Sequence, residues 1–181
     1  RIDWMTEVRQ RVDARLESYL AQKREAAARL STDSAELVEA VRVLTMRGGK
    51  RLRPAVLFAA FSAVRSDAEA DELAPTVDVS AALEVLQTYL LIHDDWMDQD
   101  DERRGGPSVH VALARATGSD TLGASLAVLA GDLASAWAWE LVLEGAWSSP
   151  HGRDALAAFS RMHHEVVLGQ GRLADTAGGG D

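Results

Sequence analysis

The stretch Asp94-Asp95-Trp96-Met97-Asp98 closes a long segment in which aliphatic residues recur at every third or fourth position. This spacing predicts an amphipathic helix. Asp94 and Asp98 are four residues apart, so their carboxylates share one face of that helix. Such neighbours repel each other unless a cation lies between them, and their hard oxygen ligands suit Mg²⁺. The alternative interpretation is an acidic helix end that is simply solvated.

Helical spacing continues on both sides of this segment, and Ala, Leu, Glu and Arg dominate the chain. Alternating β-branched runs are missing, so the sequence predicts an all-α fold, a bundle of antiparallel helices in a single domain over residues 1–181. The predicted helices cover residues 3–30, 34–46, 54–65, 75–99, 108–116, 120–143 and 153 to about 169–173. Ser34 is the predicted N-cap of the second helix, and Pro54 is predicted to open the third.

Three further segments are predicted from composition. The sixth helix is apolar around most of its circumference, which predicts a central position in the bundle. Residues 66–72 form a polar connection, residues 145–152 form a loop, and the glycine-rich residues 177–181 form another loop.

The bulk composition excludes several classes of protein. The net charge of −9 argues against non-specific binding of nucleic acid. No uncharged run reaches the roughly 18 residues of a membrane span, so none is expected. The chain has no cysteine, which excludes disulfides, thiolate metal sites and a cysteine nucleophile. No apolar signal sequence is seen at the start, and we predict a cytoplasmic location.

Positive charge is concentrated in the loop Gly48-Gly49-Lys50-Arg51-Leu52-Arg53-Pro54. Glycines allow a backbone to approach a ligand closely, and a helix that begins near Pro54 would direct its positive end at the loop. The loop is therefore a candidate diphosphate site. It is not a P-loop, because that motif's first glycine is missing. A basic surface turn is the alternative.

A second pair of cations, Arg103-Arg104, follows the aspartates and precedes Gly105-Gly106-Pro107. Guanidinium groups offer forked donors that match phosphate oxygens. Metal-binding carboxylates and arginines around one phosphate group would form a site for diphosphate chemistry.

The three motifs together closely resemble the trans-isoprenyl diphosphate synthases, the polyprenyl synthetase family. The resemblance covers residues 40–135, with weaker similarity at Gly131-Asp132 and Gly169-Gln170. It implies an isoprenoid-synthase-like helical bundle with the aspartates at the open end of a central cavity. It also implies a homodimer.

The resemblance implies a role for each motif residue. Lys50, Arg51 and Arg53 would serve the diphosphate of isopentenyl diphosphate. Gln87, at a position where the family has His or Gln, would help to hold the same group. Asp94 and Asp98 would bind Mg²⁺ on the allylic diphosphate, with Asp95 nearby as a further catalytic carboxylate. Arg103 would contact the allylic diphosphate, and Arg104 would contact isopentenyl diphosphate.

Product length in this family is set by bulk below the first aspartate motif. Tyr89 and Leu90 lie one turn or slightly more before Asp94. Their side chains would therefore form the floor of the tunnel that holds the growing prenyl chain. The aromatic side chain at Tyr89 resembles that of enzymes with short to medium products, which implies a C15–C20 all-trans prenyl diphosphate. A tyrosine that only packs in the core is the alternative.

The chain departs from the family pattern in two respects. A second aspartate-rich motif is expected on a later helix, but only Asp175 and Asp181 follow Gly169. A lysine–threonine element expected between the motifs is also missing. We therefore expect 181 residues to cover the N-terminal part of a catalytic fold that is incomplete here, and to be inactive alone. The rival interpretations are a non-catalytic partner subunit of a prenyltransferase and a class I terpene cyclase.

Overall fold

The computed structural model describes residues 4–65, 73–147 and 149–177, with side chains as far as Gln170. The predicted polar connection at residues 66–72 lies outside the described residues. Of the loop predicted at residues 177–181, only Ala177 is described, and it ends the last helix. The described chain contains seven α-helices: α1 (Trp4–Ala28), α2 (Thr32–Met46), α3 (Leu52–Val64), α4 (Ala74–Met97), α5 (Val109–Thr117), α6 (Asp120–Trp147) and α7 (Gly152–Ala177). A minimal hairpin of β1 (Glu102–Arg103) and β2 (Gly106–Pro107) joins α4 to α5. The predicted all-α fold is confirmed.

Two predicted helix starts are wrong by two or three residues. Ser31, not Ser34, is the N-cap of α2, and its Oγ accepts a hydrogen bond of 3.0 Å from the Ser34 amide. Helix α3 begins at Leu52, so Pro54 is the third helical residue rather than the first. A proline is tolerated there because the N–H groups of the first helical turn have no intrahelical acceptor, so the missing N–H of proline costs no hydrogen bond.

The loop predicted from Gly145 begins later, because α6 continues to Trp147. A Cβ atom on Gly145 would lie 2.8 Å from the carbonyl oxygen of Pro75. This glycine therefore allows the end of α6 to approach the start of α4, and it does not end the helix.

Helices α4 and α6 are antiparallel and form the most extensive helix pair of the bundle. Gly145 lies against Pro75 at one end, and Gly131 lies under the ring of His93 towards the other end. Helix α7 runs alongside α4 in the same direction, since His163 contacts Tyr89 and Gln170 contacts Asp94. This arrangement brings the C-terminal part of α7 to the aspartate end of α4.

The core lies between α1, α2, α4 and α6. The largest fully buried aliphatic side chains are Val12, Leu16, Leu20, Val41, Leu44, Val85, Ile92, Leu141 and Val142. Burying each such side chain contributes about 1.5–3 kcal/mol. Ion pairs between Lys23 and Glu140 and between Arg15 and Glu144 join α1 to α6 at the edge of this core.

Helix α6 was predicted to be central in the bundle, but only one of its sides is buried. Its buried side is built from small residues such as Ala127, Ala130 and Ala134, whereas Leu129 on the other side is 54% exposed. Among the described residues, α6 is also the one helix that is long and apolar enough to cross a membrane by length and composition. A helix in the core of a helical bundle can be equally long and apolar, so this composition does not identify a membrane span. The absence of a membrane span stays a prediction.

Candidate active site

Asp94 and Asp98 lie on successive turns at the end of α4. The Asp98 amide donates a hydrogen bond of 2.8 Å to the Asp94 carbonyl, so the helical turn continues through the cap residue. Asp94 is partly buried, and its Oδ1 accepts a hydrogen bond of 2.8 Å from Nε2 of Gln170. Asp98 is exposed, and its carboxylate has no hydrogen bond or ion pair within the described part of the chain. Both side chains therefore keep carboxylate oxygens for a cation.

Asp95 points the other way, into the protein. Its side chain is fully buried and forms an ion pair with Arg103, whose Nε donates a hydrogen bond of 2.6 Å to Oδ1. Burial raises the pKa of the Asp95 carboxyl, and the hydrogen bond and charge of Arg103 oppose that shift. The hydrogen bond that Arg103 donates to Asp95 in turn raises the pKa of Arg103. The sequence grouped Asp95 with the catalytic carboxylates, but the structure makes it the residue that holds Arg103.

The arginine hairpin, residues 102–107, contains two short strands. Its turn residues Arg104 and Gly105 have φ angles of 53° and 73°, the positive values of a type I′ turn. The turn directs Arg103 towards Asp95 and Arg104 towards the end of α2. Nη1 of Arg104 donates to the Gly48 carbonyl at 3.2 Å and to the Leu44 carbonyl at 3.4 Å. The hairpin therefore lies between the aspartates and the basic loop.

The lysine loop, residues 48–53, presents its cations in two directions. Lys50 and Arg53 are exposed and form no hydrogen bond or ion pair among the described residues. Arg51 is 5% exposed, and it pairs with Asp13 at 2.8 Å and with Glu84 at 2.6 Å. The prediction that Arg51 binds substrate is corrected, since its guanidinium is occupied inside the protein. We assign Arg51 to holding the loop.

The local backbone explains why such a strong anchor is needed. Arg51 has a φ of 49° at the start of α3, and this left-handed conformation costs an arginine about 1–2 kcal/mol. The two ion pairs and a hydrogen bond of 3.1 Å to the Thr45 carbonyl stabilise it. The inward turn of Arg51 leaves its neighbours Lys50 and Arg53 on the outside.

The cations of the lysine loop and the hairpin are close enough to influence one another. Burial lowers the pKa of the Arg104 guanidinium, Glu84 opposes this shift, and the charges of Arg51, Arg53 and Arg103 lower the pKa further. Like charges gathered in this way repel one another in the free protein. A bound polyanion would relieve that repulsion, so the cluster favours a ligand with several negative charges.

A cavity of about 300 Å³ opens beside Asp94, between α4 and α7. Its walls include Gln87, Leu90 and Asp94 from α4 and Gln170 from α7. Three residues that the sequence assigned to substrate, metal and product length therefore line one cavity.

Tyr89 lies on the neighbouring face of α4. Its ring packs edge-on against His93 and His163, with ring centroids 5.0 and 5.4 Å away. It therefore backs the cavity wall and is not among the residues that line it.

Two site residues were missed in the sequence and a third was considered only in passing. Glu84 is an acid on the apolar face of α4, and a buried acid requires a cationic partner, so its position was a usable signal. Arg47 was visible only as one more charge beside the lysine loop. Gln170 was indicated only by the weaker family similarity at Gly169-Gln170, because nothing local shows that α7 returns to the aspartates.

The carboxylates of Asp94 and Asp98 fit a Mg²⁺ ion that is only partly coordinated by protein. Within the described ranges, no group of three or more His, Asp or Glu side chains is arranged to hold a metal. Mg²⁺ commonly uses one or two protein carboxylates and completes its shell with water and substrate phosphate oxygens. Asp94 and Asp98 match that pattern, so these two residues would hold the ion.

Comparison with known proteins identifies the family of this chain. The family model "Polyprenyl synthetase" matches residues 34–176, and the chain belongs to the polyprenyl synthetase family. It is 36% identical over 147 residues to a geranylgeranyl diphosphate synthase of Sulfolobus acidocaldarius, covering 81% of this chain and 40% of the relative. It is 38% identical over 135 residues to a short chain isoprenyl diphosphate synthase of Methanocaldococcus jannaschii, covering 75% and 37%.

Solved structures show the same fold. The chain matches a geranylgeranyl pyrophosphate synthase from Corynebacterium glutamicum, complexed with isoprenyl diphosphate and magnesium, with a TM-score of 0.79 and 31% identity. This match covers 94% of the present chain and 49% of that one. The chain thus spans half or less of the length of these relatives.

Proposed function

We propose that this chain forms the first diphosphate-binding part of a Mg²⁺-dependent trans-prenyltransferase. The enzyme condenses isopentenyl diphosphate with an allylic diphosphate to a C15–C20 all-trans prenyl diphosphate. The observation that carries the proposal is the position of the arginine hairpin. Arg103 contacts Asp95 beside the metal-binding carboxylates, and Arg104 contacts Gly48 of the lysine loop. One diphosphate on each side of the hairpin would meet an arginine.

Asp94, Asp98 and Arg103 would each have a different role in the reaction. In the proposed reaction the allylic C–O bond breaks, and its electron pair leaves with the diphosphate. The double bond of isopentenyl diphosphate then forms a C–C bond to the allylic cation, and the departing diphosphate takes up the proton that is released. Bound at Asp94 and Asp98, Mg²⁺ would neutralise the charge of the leaving diphosphate. Arg103 would donate to that diphosphate, and preorganised donors of this kind act most strongly where charge develops.

The second substrate is placed at the lysine loop. Lys50, Arg53 and Arg104 would bind the diphosphate of isopentenyl diphosphate, with Gln87 in the cavity wall as a further donor. Leu90 in the same wall, backed by Tyr89, would limit the growing chain. The proposal extends to a cytoplasmic homodimer, which the exposed leucines of α6 favour, since Leu122, Leu129 and Leu143 are 47%, 54% and 45% exposed.

A turnover assay tests the proposal. The whole enzyme that contains this chain would be purified and incubated with labelled isopentenyl diphosphate and a C5, C10 or C15 allylic diphosphate, with Mg²⁺ or with a chelator. We expect labelled prenyl product only with Mg²⁺, and a loss of at least about 100-fold in Asp94→Ala and Asp98→Ala. Asp101→Ala is the matched control, because it removes an exposed acid from the same segment.

Two other outcomes would each replace the proposal. Consumption of the allylic diphosphate without isopentenyl diphosphate would identify a class I terpene cyclase. Diphosphate binding without any turnover, restored to activity by a second protein, would identify a partner subunit.

A further inference from the structure

The lysine loop and the arginine hairpin are joined by two arginines that cross between them. Arg104 extends from the hairpin to the Leu44 and Gly48 carbonyls. Arg47, which follows the last turn of α2, extends in the opposite direction. Its Nη1 donates to the Arg103 carbonyl at 3.1 Å and to the Pro107 carbonyl at 2.8 Å. The hairpin therefore binds the backbone at the end of α2 and at Gly48, and the end of α2 binds the backbone of the hairpin.

Arg47 bridges both strands of the hairpin. Arg103 lies in β1 and Pro107 in β2, so one guanidinium nitrogen binds a carbonyl from each strand. Within the described part of the chain, Arg47 forms no ion pair. Hydrogen bonds from a charged donor contribute about 1.5–3 kcal/mol each. The charge of this arginine is thus directed entirely to backbone carbonyls.

The hairpin is shaped to accept this side chain. A Cβ atom on Gly106 would lie 2.6 Å from both Cζ and Nη1 of Arg47. The guanidinium therefore rests directly on the face of Gly106, and only a glycine leaves room for it. The φ of Gly106 is not positive, so alanine there would be limited by Arg47 and not by the backbone.

The position of the Arg104 guanidinium at the C-terminal end of α2 is electrostatically favourable. The Leu44 carbonyl belongs to the last turn of α2, where carbonyls lack intrahelical partners and the helix end is partly negative. The contact fixes the Arg104 side chain on the lysine loop side. Any movement of the hairpin would therefore shift Arg103 and Arg104 relative to Lys50 and Arg53.

We propose that Arg47 is a positioning residue for diphosphate binding, which locks the arginine hairpin to the lysine loop through the Arg103 and Pro107 carbonyls. The role rests on the proposed function, because it acts through the cations assigned there to the two diphosphates. Arg47 itself contacts neither ligand. Its loss leaves those cations present but no longer at a fixed separation.

The experiment compares Arg47→Ala, Gly106→Ala, the double variant and Arg47→Lys. Calorimetry measures the affinity for isopentenyl diphosphate and for inorganic diphosphate with Mg²⁺. Hydrogen exchange follows the amides of residues 102–108 in the free protein. Arg115→Ala is the control, since it removes an exposed arginine of the same charge from α5.

We expect Arg47→Ala and Gly106→Ala each to weaken diphosphate binding about tenfold, which corresponds to about 1.4 kcal/mol. Both should speed exchange of the hairpin amides, while Arg115→Ala leaves affinity and exchange close to wild type. The double variant should be no worse than Arg47→Ala, because the added methyl group displaces a side chain that is already gone. Arg47→Lys should recover only part of the affinity, since it keeps the charge but not the planar fork.

Additive losses in the double variant, full recovery in Arg47→Lys, or unchanged exchange in Arg47→Ala would each overturn the inference. Equal diphosphate affinity in wild type and in Arg47→Ala would overturn this inference alone. A wild-type protein that binds neither diphosphate would sink the proposed function instead.

Discussion

Nε of Arg103 donates a hydrogen bond of 2.6 Å to Oδ1 of the fully buried Asp95. The middle carboxylate of the aspartate segment is thus an anchor for the hairpin, while its neighbours Asp94 and Asp98 remain available to a metal. Adjacent helical residues point about 100° apart around the axis, which separates Asp94 from Asp95. Asp98 is the C-cap residue of α4 and is exposed.

Replacement of Asp95 tests that anchor. Asp95→Asn removes the charge that Arg103 faces, so the free energy of unfolding should fall by about 1–3 kcal/mol. Asp100 is the matched control, because it also contacts Arg103, at 3.2 Å, but is 54% exposed. Asp100→Asn should change stability by no more than about 1 kcal/mol. Urea unfolding measures both, and equal effects would contradict the anchor role.

Adjacent residues of the lysine loop should separate stability from binding. Arg51→Ala leaves the buried carboxylate of Glu84 without its cation, so we expect a loss of about 3–5 kcal/mol in unfolding free energy. Lys50→Ala changes an exposed side chain and should cost no more than about 0.5 kcal/mol. Calorimetry with isopentenyl diphosphate should show a loss of affinity in Lys50→Ala. A Lys50→Ala protein with unchanged affinity would remove Lys50 from the site.

Product length should respond to the wall beneath Asp94. Leu90→Ala enlarges the cavity directly, and Tyr89→Ala removes the ring that backs its wall, so both should shift chromatographed products towards longer prenyl chains. Val77→Ala, near the start of the same helix, is the control and should leave the product distribution as it is. Unchanged products in both site variants would exclude these residues as the floor.

The histidine behind the cavity should make stability depend on pH. Burial lowers the pKa of His163, and the charge of His164 lowers it further. The unfolded chain, with a histidine pKa of about 6.5, therefore binds the proton more readily than the folded chain. The contribution of His163 to stability is full above the unfolded pKa and is lost as pH falls through the lower folded value.

The measurement is the unfolding free energy between about pH 7.5 and 5. His163→Gln should flatten the decline on the acidic side, whereas His151→Gln, at an exposed position before α7, should not. An identical pH profile in wild type and His163→Gln would contradict the assignment.

Much of the fold could be predicted from the sequence because its signals are local. Helical periodicity placed α1, α4 and α5 within about two residues, the usual uncertainty of helix ends. It failed at Gly145, because a glycine ends a helix in one context and allows a close helix contact in another. The nearby Pro75 backbone decides between the two, and that proximity is not visible in local sequence.

The sequence predicted the separate motifs of the site but not the side-chain contacts that connect them. The four-residue spacing of Asp94 and Asp98 by itself fixed their common face, since hydrogen bonds between neighbouring turns set the period of a helix. Tertiary structure alone decided that Arg51 turns inward while Lys50 stays outside, and that Gln170 reaches Asp94. The partners lie far away along the chain, Asp13 at 38 residues from Arg51 and Gln170 at 76 from Asp94. A side chain finds such partners only after the helices pack, so no local pattern encodes the choice.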